Sequence, residues 1–449
     1  MKNVGAIFIS ILLNIISPSV VAEGENIQLK GNRFLTFNTI IRVNQIEVSR
    51  DKNAGVDERN LHSPEKIIKF REAIEEGFPG SKITWAFSWL ALNDTTKQYQ
   101  TIRKIVVGYH QKLGDEITFI PGAYFANAYN STEQVNKDIH DGLKIIENMV
   151  GNSYRPKSIV AGFLSSKNQE YLVNEENIHV CQGNIWSQYA IDNQDGDGAV
   201  CYPFYPSKEH FCKPAQGKED FIDCVNLDGW TTDFLAARRE GFAEGFNSRM
   251  GVGPIETLQA YGYDIGLKEM LHTTAIHYDQ GFDLNGFAWV TNCWEISLEI
   301  DYKGLTEWLK QIRQRWPDVK FISQGEFGLI WRNEYKNNSF NYQFQEIGSG
   351  IGGSDANKKI KWYMNKSFRL ALLKDLNTQE EKVIDFTSYK DKAQEPVSGT
   401  TRNWTLFGDI NQKQTREQDS PVFIYQLTNK QRDLIKIYYP ELFNAPFNN

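Results

Sequence analysis

Residues 34–43 have the sequence FLTFNTIIRV, and a second apolar run, ITWAFSW, follows at 83–89. The density of β-branched and aromatic residues predicts a strand in each run. Between them, Ser63 and Pro64 predict the start of a helix and Gly77 predicts its end. The segment therefore predicts a strand–helix–strand unit with parallel strands.

The same alternation continues to about residue 323. Further strand-like runs, each separated from the next by a helical or loop segment, lie at 116–121, 157–163, 178–182, 221–227, 286–292 and 319–323. Seven or eight such units favour a closed barrel over an open sheet. We therefore predict an α/β protein with a TIM-like (β/α)7-8 barrel as the catalytic domain over residues 23–337.

The pattern changes beyond residue 337. Runs such as FNYQFQEI at 340–347 and VFIYQLT at 422–428 alternate apolar and polar residues between turn signals. This alternation is typical of antiparallel strands with one buried face. We predict a β-sandwich accessory domain over residues 338–449, which either binds glycan or only braces the barrel.

The first 22 residues have the features of a secretory signal peptide. Lys2 is followed by a mostly apolar run over residues 4–16 and by small or β-branched residues up to Ala22. The apolar run is too short to span a bilayer. Cleavage after about Ala22 is expected, and the mature chain should be periplasmic or secreted.

Composition excludes some partners. The formal net charge is −7 and no block of basic residues offsets it, which argues against a nucleic-acid partner. No later stretch is long and apolar enough to predict a transmembrane helix.

A long connection between the predicted fifth and sixth strands combines aromatic side chains with Asp, Asn and Gln. Loops of this length inside a domain are uncommon and usually functional. Flat aromatic faces together with amide and carboxylate groups suit a sugar ligand. The alternative is a structural insertion held by disulfides.

Four of the five cysteines lie in this region, at Cys181, Cys201, Cys212 and Cys224. Export permits disulfide formation. We predict at least one disulfide among the four, with Cys201–Cys212 the first pairing to consider because it closes a short loop.

In a (β/α) barrel, the residues that follow the strands form the active site. The side chains expected to bind the substrate share this position and are either aromatic or polar. They are Trp89, Gln182, Asn184, Trp186, Asp192, Trp230, Asn292 and Trp294.

Cleavage of a glycosidic bond requires two carboxyl groups, one to protonate the leaving oxygen and one to act as nucleophile or base. Glu295 is the first choice for the acid, because the adjacent Trp294 suggests a desolvated environment that favours the protonated form. Glu326 and Asp228 compete for the second role.

Metal chemistry is weakly supported by the sequence. Asn193, Asp195 and Asp197 match the start of a calcium-binding loop, but Phe204 replaces the glutamate that the twelfth position requires. His272 and His277 are five residues apart on a predicted helix, hence badly placed to share an ion. We expect no catalytic metal and no organic cofactor, with structural calcium as a minor alternative.

The run HVCQGNIWSQYAIDNQDGDG at 179–198, with YPFYPSKEHFCKPAQGKEDFIDCVNLDGW at 202–230, resembles a group of secreted bacterial proteins described as glycoside hydrolases. The resemblance extends over about residues 30–330. It implies a glycoside hydrolase/deacetylase-like barrel followed by a β domain. It does not identify any catalytic residues.

The chain departs from two related patterns. Polysaccharide deacetylases carry an Asp pair after the first strand, where this chain has Asn38 and Thr39. Retaining barrel hydrolases carry a Glu after both the fourth and seventh strands, and here only Glu295 matches. We therefore predict a glycoside hydrolase acting by paired carboxylates on a glycan. A non-catalytic glycan-binding protein and a metal-dependent carbohydrate esterase remain as alternatives.

Overall fold

The computed structural model describes residues 27–185, 198–238, 250–253, 257–399, 404, 406 and 421–443. The predicted signal peptide lies outside these residues. So do Trp186, Asp192, Asn193, Asp195 and Asp197, and with them the predicted calcium loop.

The strands are numbered along the chain. They are β1 (Arg33–Ile41), β2 (Asn44–Val48), β3 (Lys52–Asp57), β4 (Thr84–Phe87), β5 (Glu116–Phe119), β6 (Ile159–Val160), β7 (Val180–Asn184), β8 (Val225–Asp228), β9 (Ala288–Glu295), β10 (Val319–Phe321), β11 (Asn341–Ile347), β12 (Lys358–Asn365), β13 (Phe368–Asp375) and β14 (Glu381–Ser388).

The α-helices are numbered in the same way. They are α1 (Pro64–Gly77), α2 (Trp89–Asn93), α3 (Lys97–Leu113), α4 (Ala126–Tyr129), α5 (Thr132–Val150), α6 (Ser166–Asn174), α7 (Gln259–Ala275), α8 (Phe282–Asn285), α9 (Tyr302–Arg315), α10 (Gln324–Glu334) and α11 (Asn429–Tyr438).

Local signals set the helix ends as predicted. The Ser63 side chain accepts a hydrogen bond from the Lys66 backbone N–H, and α1 runs from Pro64 to Gly77. These bounds confirm the predicted start and end of the first helix. A serine oxygen in this position satisfies one of the N–H groups that the first turn leaves without a partner.

Two parallel sheets form the larger part of the molecule. β1 is central in the first sheet: it pairs with β9 along most of its length, with β10 at its start and with β4 at its end, and β5 pairs with β4. The second sheet has the order β6-β7-β8. The alternation of parallel strands and helices confirms the predicted α/β class.

The two sheets approach each other at both edges. The Thr118 hydroxyl at the end of one sheet donates to the Ser158 carbonyl beside the other. At the opposite edge the Thr231 N–H donates to the Thr291 carbonyl at 3.0 Å. The strand ladder is nevertheless interrupted between the sheets in the residues described here, so the predicted closed barrel is not confirmed.

A four-stranded antiparallel sheet, in the order β11-β12-β13-β14, follows the parallel part. Its strands agree with the predicted alternation, but it does not pair with a second sheet within the described ranges. Trp362 of β12 packs towards Phe234 of the parallel part, with ring centroids 6.4 Å apart. The next residue, Tyr363, packs on Tyr439 beside α11 at 4.6 Å. The parallel part and α11 therefore cover the faces that a sandwich would cover with a second sheet.

Among the residues described, no helix is both long enough and apolar enough to cross a membrane.

Candidate functional site

Alternate side chains of β1 point into the space that the parallel strands surround. The Thr36 hydroxyl bonds to that of Thr291, its register partner on the neighbouring β9, at 2.9 Å, and Ile40 belongs to a buried cluster with Trp230. The residues between them face the other way: Phe37 stacks on Trp308 of α9 at 5.9 Å. This period of two carries the next even-numbered residue, Arg42, to the inner side just beyond the carboxyl end of β1.

Arg42 is buried, with 1 % of its surface exposed. Its Nε and Nη2 donate to the two carboxylate oxygens of Glu58 at 2.6 and 2.7 Å. Its Nη2 also donates to Glu295 Oε2 at 2.9 Å. Burial alone would lower the pKa of Arg42, but the charges of Glu295 and Glu58 raise it above its usual value. One buried guanidinium thus links two carboxylates at the carboxyl end of β1.

Glu58 is the fixed partner of this pair and Glu295 the accessible one. Burial would raise the pKa of Glu58, but its hydrogen bonds from Arg42 lower it overall. The Glu295 side chain keeps 19 % of its surface exposed, against 7 % for Glu58. Of the two carboxylates, Glu295 is therefore the one that a ligand can reach.

A strained turn follows β5 beside this pair. Gly122, Ala123 and Tyr124 all have positive φ angles, of 62°, 55° and 106°. Such angles cost about 1–3 kcal/mol for each residue with a side chain, and they concentrate at functional sites. Arg42 Nη1 donates to the Ala123 carbonyl at 3.3 Å. The strained backbone is thus held by the same guanidinium that binds Glu295.

Two aromatic side chains form the floor of the site. The Tyr124 ring meets the Trp230 ring edge-on, with centroids 5.7 Å apart. The Trp230 indole N–H donates to the Cys293 carbonyl at 3.2 Å, and Trp230 is 5 % exposed. A Cβ at Gly162 would lie 2.5 Å from the Tyr124 ring. Only glycine at 162 therefore permits this position of the ring.

The ends of β7 and β8 supply the polar side of the site. Asp228 is buried and accepts a hydrogen bond from the Gly229 N–H at 2.7 Å. A Cβ at Gly229 would lie 3.1 Å from both Gln182 Nε2 and the Tyr124 hydroxyl. Gln182 Nε2 donates to the Asn184 carbonyl at 3.1 Å. Asp228, Gln182 and Asn184 therefore lie at the same end of the strands as Glu295.

Trp294 does not line the site. It is fully buried on the outer side of β9, with its ring 5.3 Å from both Phe37 and Phe70. Neighbouring residues of a strand point to opposite faces. Because Glu295 points inward, Trp294 points into the helix layer, and its predicted role in substrate binding is wrong.

Asn292 and Trp89 occupy different surroundings. Asn292 is buried and donates to the Val252 carbonyl at 3.1 Å, on the same face of β9 as Trp294. Trp89 begins α2 at the end of β4, and the Arg50 guanidinium lies 3.5 Å from its ring centroid. Trp89 therefore lies at the predicted end of the strands, partly exposed, whereas Asn292 has a structural contact.

Glu326 lies at the opposite end of the strands. Its Oε1 is 3.1 Å from Lys82 Nζ and 3.4 Å from Lys157 Nζ. Both lysines precede strands, β4 and β6, whereas Glu295 is the last residue of β9. The prediction that Glu326 and Glu295 converge is therefore wrong, because α10 crosses the amino ends of the strands.

All five cysteines lie in the described residues, and no disulfide links them. The predicted first pairing, Cys201 with Cys212, is not formed. The Sγ atoms of Cys181 and Cys224 lie 3.7 Å apart instead. Burial, followed by the neighbouring Cys224, raises the pKa of the Cys181 thiol.

We expect Cys181 and Cys224 to become disulfide-linked when the protein is made in an oxidising compartment, since they are adjacent and buried. Each thiol loses a proton and an electron to the oxidant. Peptide mapping of alkylated, unreduced protein should then recover these two cysteines as one linked pair and the other three as alkylated thiols. Five alkylated cysteines, or a Cys201–Cys212 link, would contradict this expectation.

The arrangement at the carboxyl ends includes residues that the sequence did not single out. Arg42 and Glu58 are the main ones, and a charged residue at the end of the otherwise apolar run at 34–43 was the available signal. The residues best able to hold a metal ion are elsewhere, at Asp233, His272 and Glu346.

A family model described as a domain of unknown function with a solved structure (DUF3863) matches residues 27–364, and a second of the same description (DUF3864) matches residues 369–442. A crystal structure from Parabacteroides distasonis, named a "putative glycoside hydrolase/deacetylase", is 48% identical with a TM-score of 0.87. The match covers 92% of this chain and 99% of that chain.

Two more distant structures also match. A "probable polysaccharide deacetylase" from Pseudomonas aeruginosa is 12% identical with a TM-score of 0.42, over 68% of this chain and 92% of that chain. A GH57-type branching enzyme from Pyrococcus horikoshii is 12% identical with a TM-score of 0.38, over 66% and 69%. No curated protein matches the chain.

Proposed function

This chain belongs to the family of the domain of unknown function DUF3863, and from that membership and the site's geometry we propose that it is an enzyme that hydrolyses a glycan. The name of the 48% identical relative supports the substrate class. The observation that carries the proposal is Glu295, a partly exposed carboxylate paired with the buried Arg42 beside an aromatic floor.

The ion pair supports a different role for Glu295 from the general acid expected from the sequence. The Arg42 guanidinium at 2.9 Å orients the Glu295 carboxylate and occupies one of its oxygens. An ionised carboxylate can attack the anomeric carbon or remove a proton from water, but it cannot protonate a leaving group. We assign Glu295 the role of nucleophile or base.

Asp228 is the second carboxyl group in this proposal. It lies at the same end of the strands, at the end of β8. As the acid it would transfer its proton to the glycosidic oxygen while the bond from that oxygen to the anomeric carbon breaks. Water then supplies the hydroxyl group of the new reducing end and the proton that restores the acid.

The remaining residues would bind and orient the sugar. Trp230 and Tyr124 offer apolar ring surfaces, which suit the C–H faces of a pyranose. The Gln182 amide and the Tyr124 hydroxyl both approach Gly229 and can exchange hydrogen bonds with sugar hydroxyls. Trp89 would contact the substrate at the rim.

The proposal includes export and a barrel-like arrangement. The apolar run at 4–16 supports cleavage after about Ala22, which sequencing of the mature amino terminus would test. The contacts between β5 and β6, and between the segment after β8 and β9, support the view that the two parallel sheets are arcs of one barrel.

The direct test is to incubate the mature chain with a panel of polysaccharides and measure new reducing ends and free acetate separately. New reducing ends would support glycan hydrolysis. Free acetate without reducing ends would replace it with ester hydrolysis. Saturable binding of a glycan that stays intact would contradict an enzymatic role.

A further inference from the structure

Four ionisable side chains meet between the parallel part and the antiparallel sheet. Asp233 lies in the segment after β8, Glu269 and His272 lie on α7, and Glu346 lies on β11. Glu269 and His272 are three residues apart, which places them on one face of their helix. We call these four residues the interface cluster.

Ligand atoms of three residues of the interface cluster are close enough to share one ion. One atom from each of Asp233, His272 and Glu346 lies within 4.8 Å of the other two. Neighbouring ligand atoms of a tetrahedral zinc ion lie about 3.3–3.6 Å apart, since each bond is about 2.0–2.2 Å long. Side-chain movements of up to about 1 Å would therefore complete the coordination.

The carboxylates of the cluster are buried without enough donors. Asp233 and Glu269 have no exposed surface and Glu346 has 2 %. Both carboxylate oxygens of Glu269, and Oδ2 of Asp233, lack a hydrogen-bond partner among the described residues. Buried carboxylates normally have such partners, so these three oxygens require another group.

The other oxygens of the cluster are already oriented by the backbone. Asp233 Oδ1 accepts hydrogen bonds from the Leu235 and Ala236 N–H groups at 2.9 and 2.7 Å. Glu346 Oε2 accepts one from the Phe234 N–H at 2.8 Å. These bonds turn Asp233 Oδ2 away from the backbone and hold both side chains in place. At metal sites, hydrogen bonds to the ligands orient them in the same way.

The interface cluster holds more carboxylates than the positive charge of its partners can balance. His272 Nε2 lies 3.4 Å from Glu346 Oε1, and within the described ranges it is the basic side chain that pairs with the cluster. Three buried carboxylates therefore face one imidazole, and a divalent cation would balance their charge.

We propose that Asp233, His272 and Glu346 bind one divalent metal ion, with Glu269 as a fourth ligand. One imidazole nitrogen among carboxylate oxygens suits zinc or manganese better than calcium, which takes oxygen ligands alone. The His272 side chain keeps 27% of its surface exposed, which gives the ion a way in.

The ion would join the two parts of the molecule rather than act on substrate. Phe234, next to Asp233, packs on Phe344 of β11 with ring centroids 5.3 Å apart. The ion would fix the segment after β8 and α7 to the antiparallel sheet. This role is independent of the proposed glycan hydrolysis.

The test uses the mature full-length chain, stripped with a chelator and dialysed. Mass-spectrometric metal analysis after exposure to zinc, manganese and calcium should find about one equivalent of zinc or manganese per chain. At a hundredfold excess over Kd, the ion should raise Tm by about 3 °C. Glu269→Gln and His272→Gln should each weaken binding at least about tenfold.

Asp264→Asn is the matched control, because Asp264 is an exposed acid on the same helix, and it should bind metal as the wild-type chain does. If His272→Gln does not fold, the Glu269→Gln variant decides, since glutamine keeps the shape of the glutamate side chain. The proposal is overturned if the wild-type chain binds neither zinc nor manganese, or if Glu269→Gln binds them with unchanged affinity.

Discussion

Arg42→Met is expected to lower the free energy of unfolding by about 3–5 kcal/mol, the usual cost of breaking a buried ion pair by removing one partner. Methionine keeps much of the side-chain volume but removes every hydrogen bond to Glu58 and Glu295. It also removes the donor that holds the carbonyl of Ala123. Urea denaturation, followed by fluorescence and circular dichroism, would measure the change.

The matched control is Arg332→Met. Arg332 also pairs with a carboxylate, that of Asp223, but the two side chains keep 28% and 36% of their surfaces exposed. Exposed pairs contribute about 0–1 kcal/mol. Adding Glu58→Gln to Arg42→Met should recover part of the loss, because one buried charge no longer lacks a partner. Equal losses in the two single variants would show that burial of the Arg42 pair has no special energetic role.

Glu295→Gln is expected to lower kcat on a natural glycan by at least about 10²–10⁴-fold, the typical contribution of acid–base catalysis. The neutral amide keeps the shape of the side chain but can neither attack carbon nor accept a proton. If Glu295 acts as nucleophile or base, substrates with an activated leaving group should lose as much rate as natural ones. A much smaller loss on activated substrates would instead identify Glu295 as the general acid.

Glu326→Gln is the control for this experiment. It makes the same chemical change at a carboxylate that binds Lys82 and Lys157 at the other end of the strands. Turnover close to that of the wild-type chain is expected. An equal loss in both variants would mean that the effect of Glu295→Gln comes from stability, and thermal unfolding of both variants would reveal it.

Much of the fold could be predicted because its signals are local. The apolar runs that became β1, β5 and β9 contain the residue types that strands favour, and the Ser63 cap lies three residues from the N–H that it binds. Such patterns depend on a few neighbouring residues. They can therefore be recognised without any knowledge of the rest of the chain.

The end of the molecule at which Glu326 lies could not be predicted, because it depends on register. β10 pairs only with the first residues of β1, from Arg33 to Leu35. β10 therefore ends beside Leu35, well before the carboxyl end of β1. As a result, α10 begins near the start of β5, where the Gly325 N–H donates to Glu116 Oε2 at 3.0 Å. The local sequence carries no signal of a pairing between residues almost 300 positions apart.

The misplacement of Trp294 follows from where the seventh strand was expected to end. The predicted strand stops at residue 292, whereas β9 continues to Glu295, so Trp294 and Glu295 are consecutive strand residues whose side chains point to opposite faces. Choosing Glu295 for the interior excludes Trp294 from it. The pairing of Arg42 with Glu58 follows from the hairpin of β2 and β3, which the sequence pattern did not reveal.

The two family models meet between β12 and β13, the strands that pair from Lys358↔Asp375 to Met364↔Arg369. A chain ending at residue 364 would leave β12 as an open edge strand, a template for aggregation. It would also lose Leu370 and Leu372, which form an apolar cluster with α11. The two segments are therefore not modular: recombination could not exchange one without the other, and they have to be inherited and expressed together.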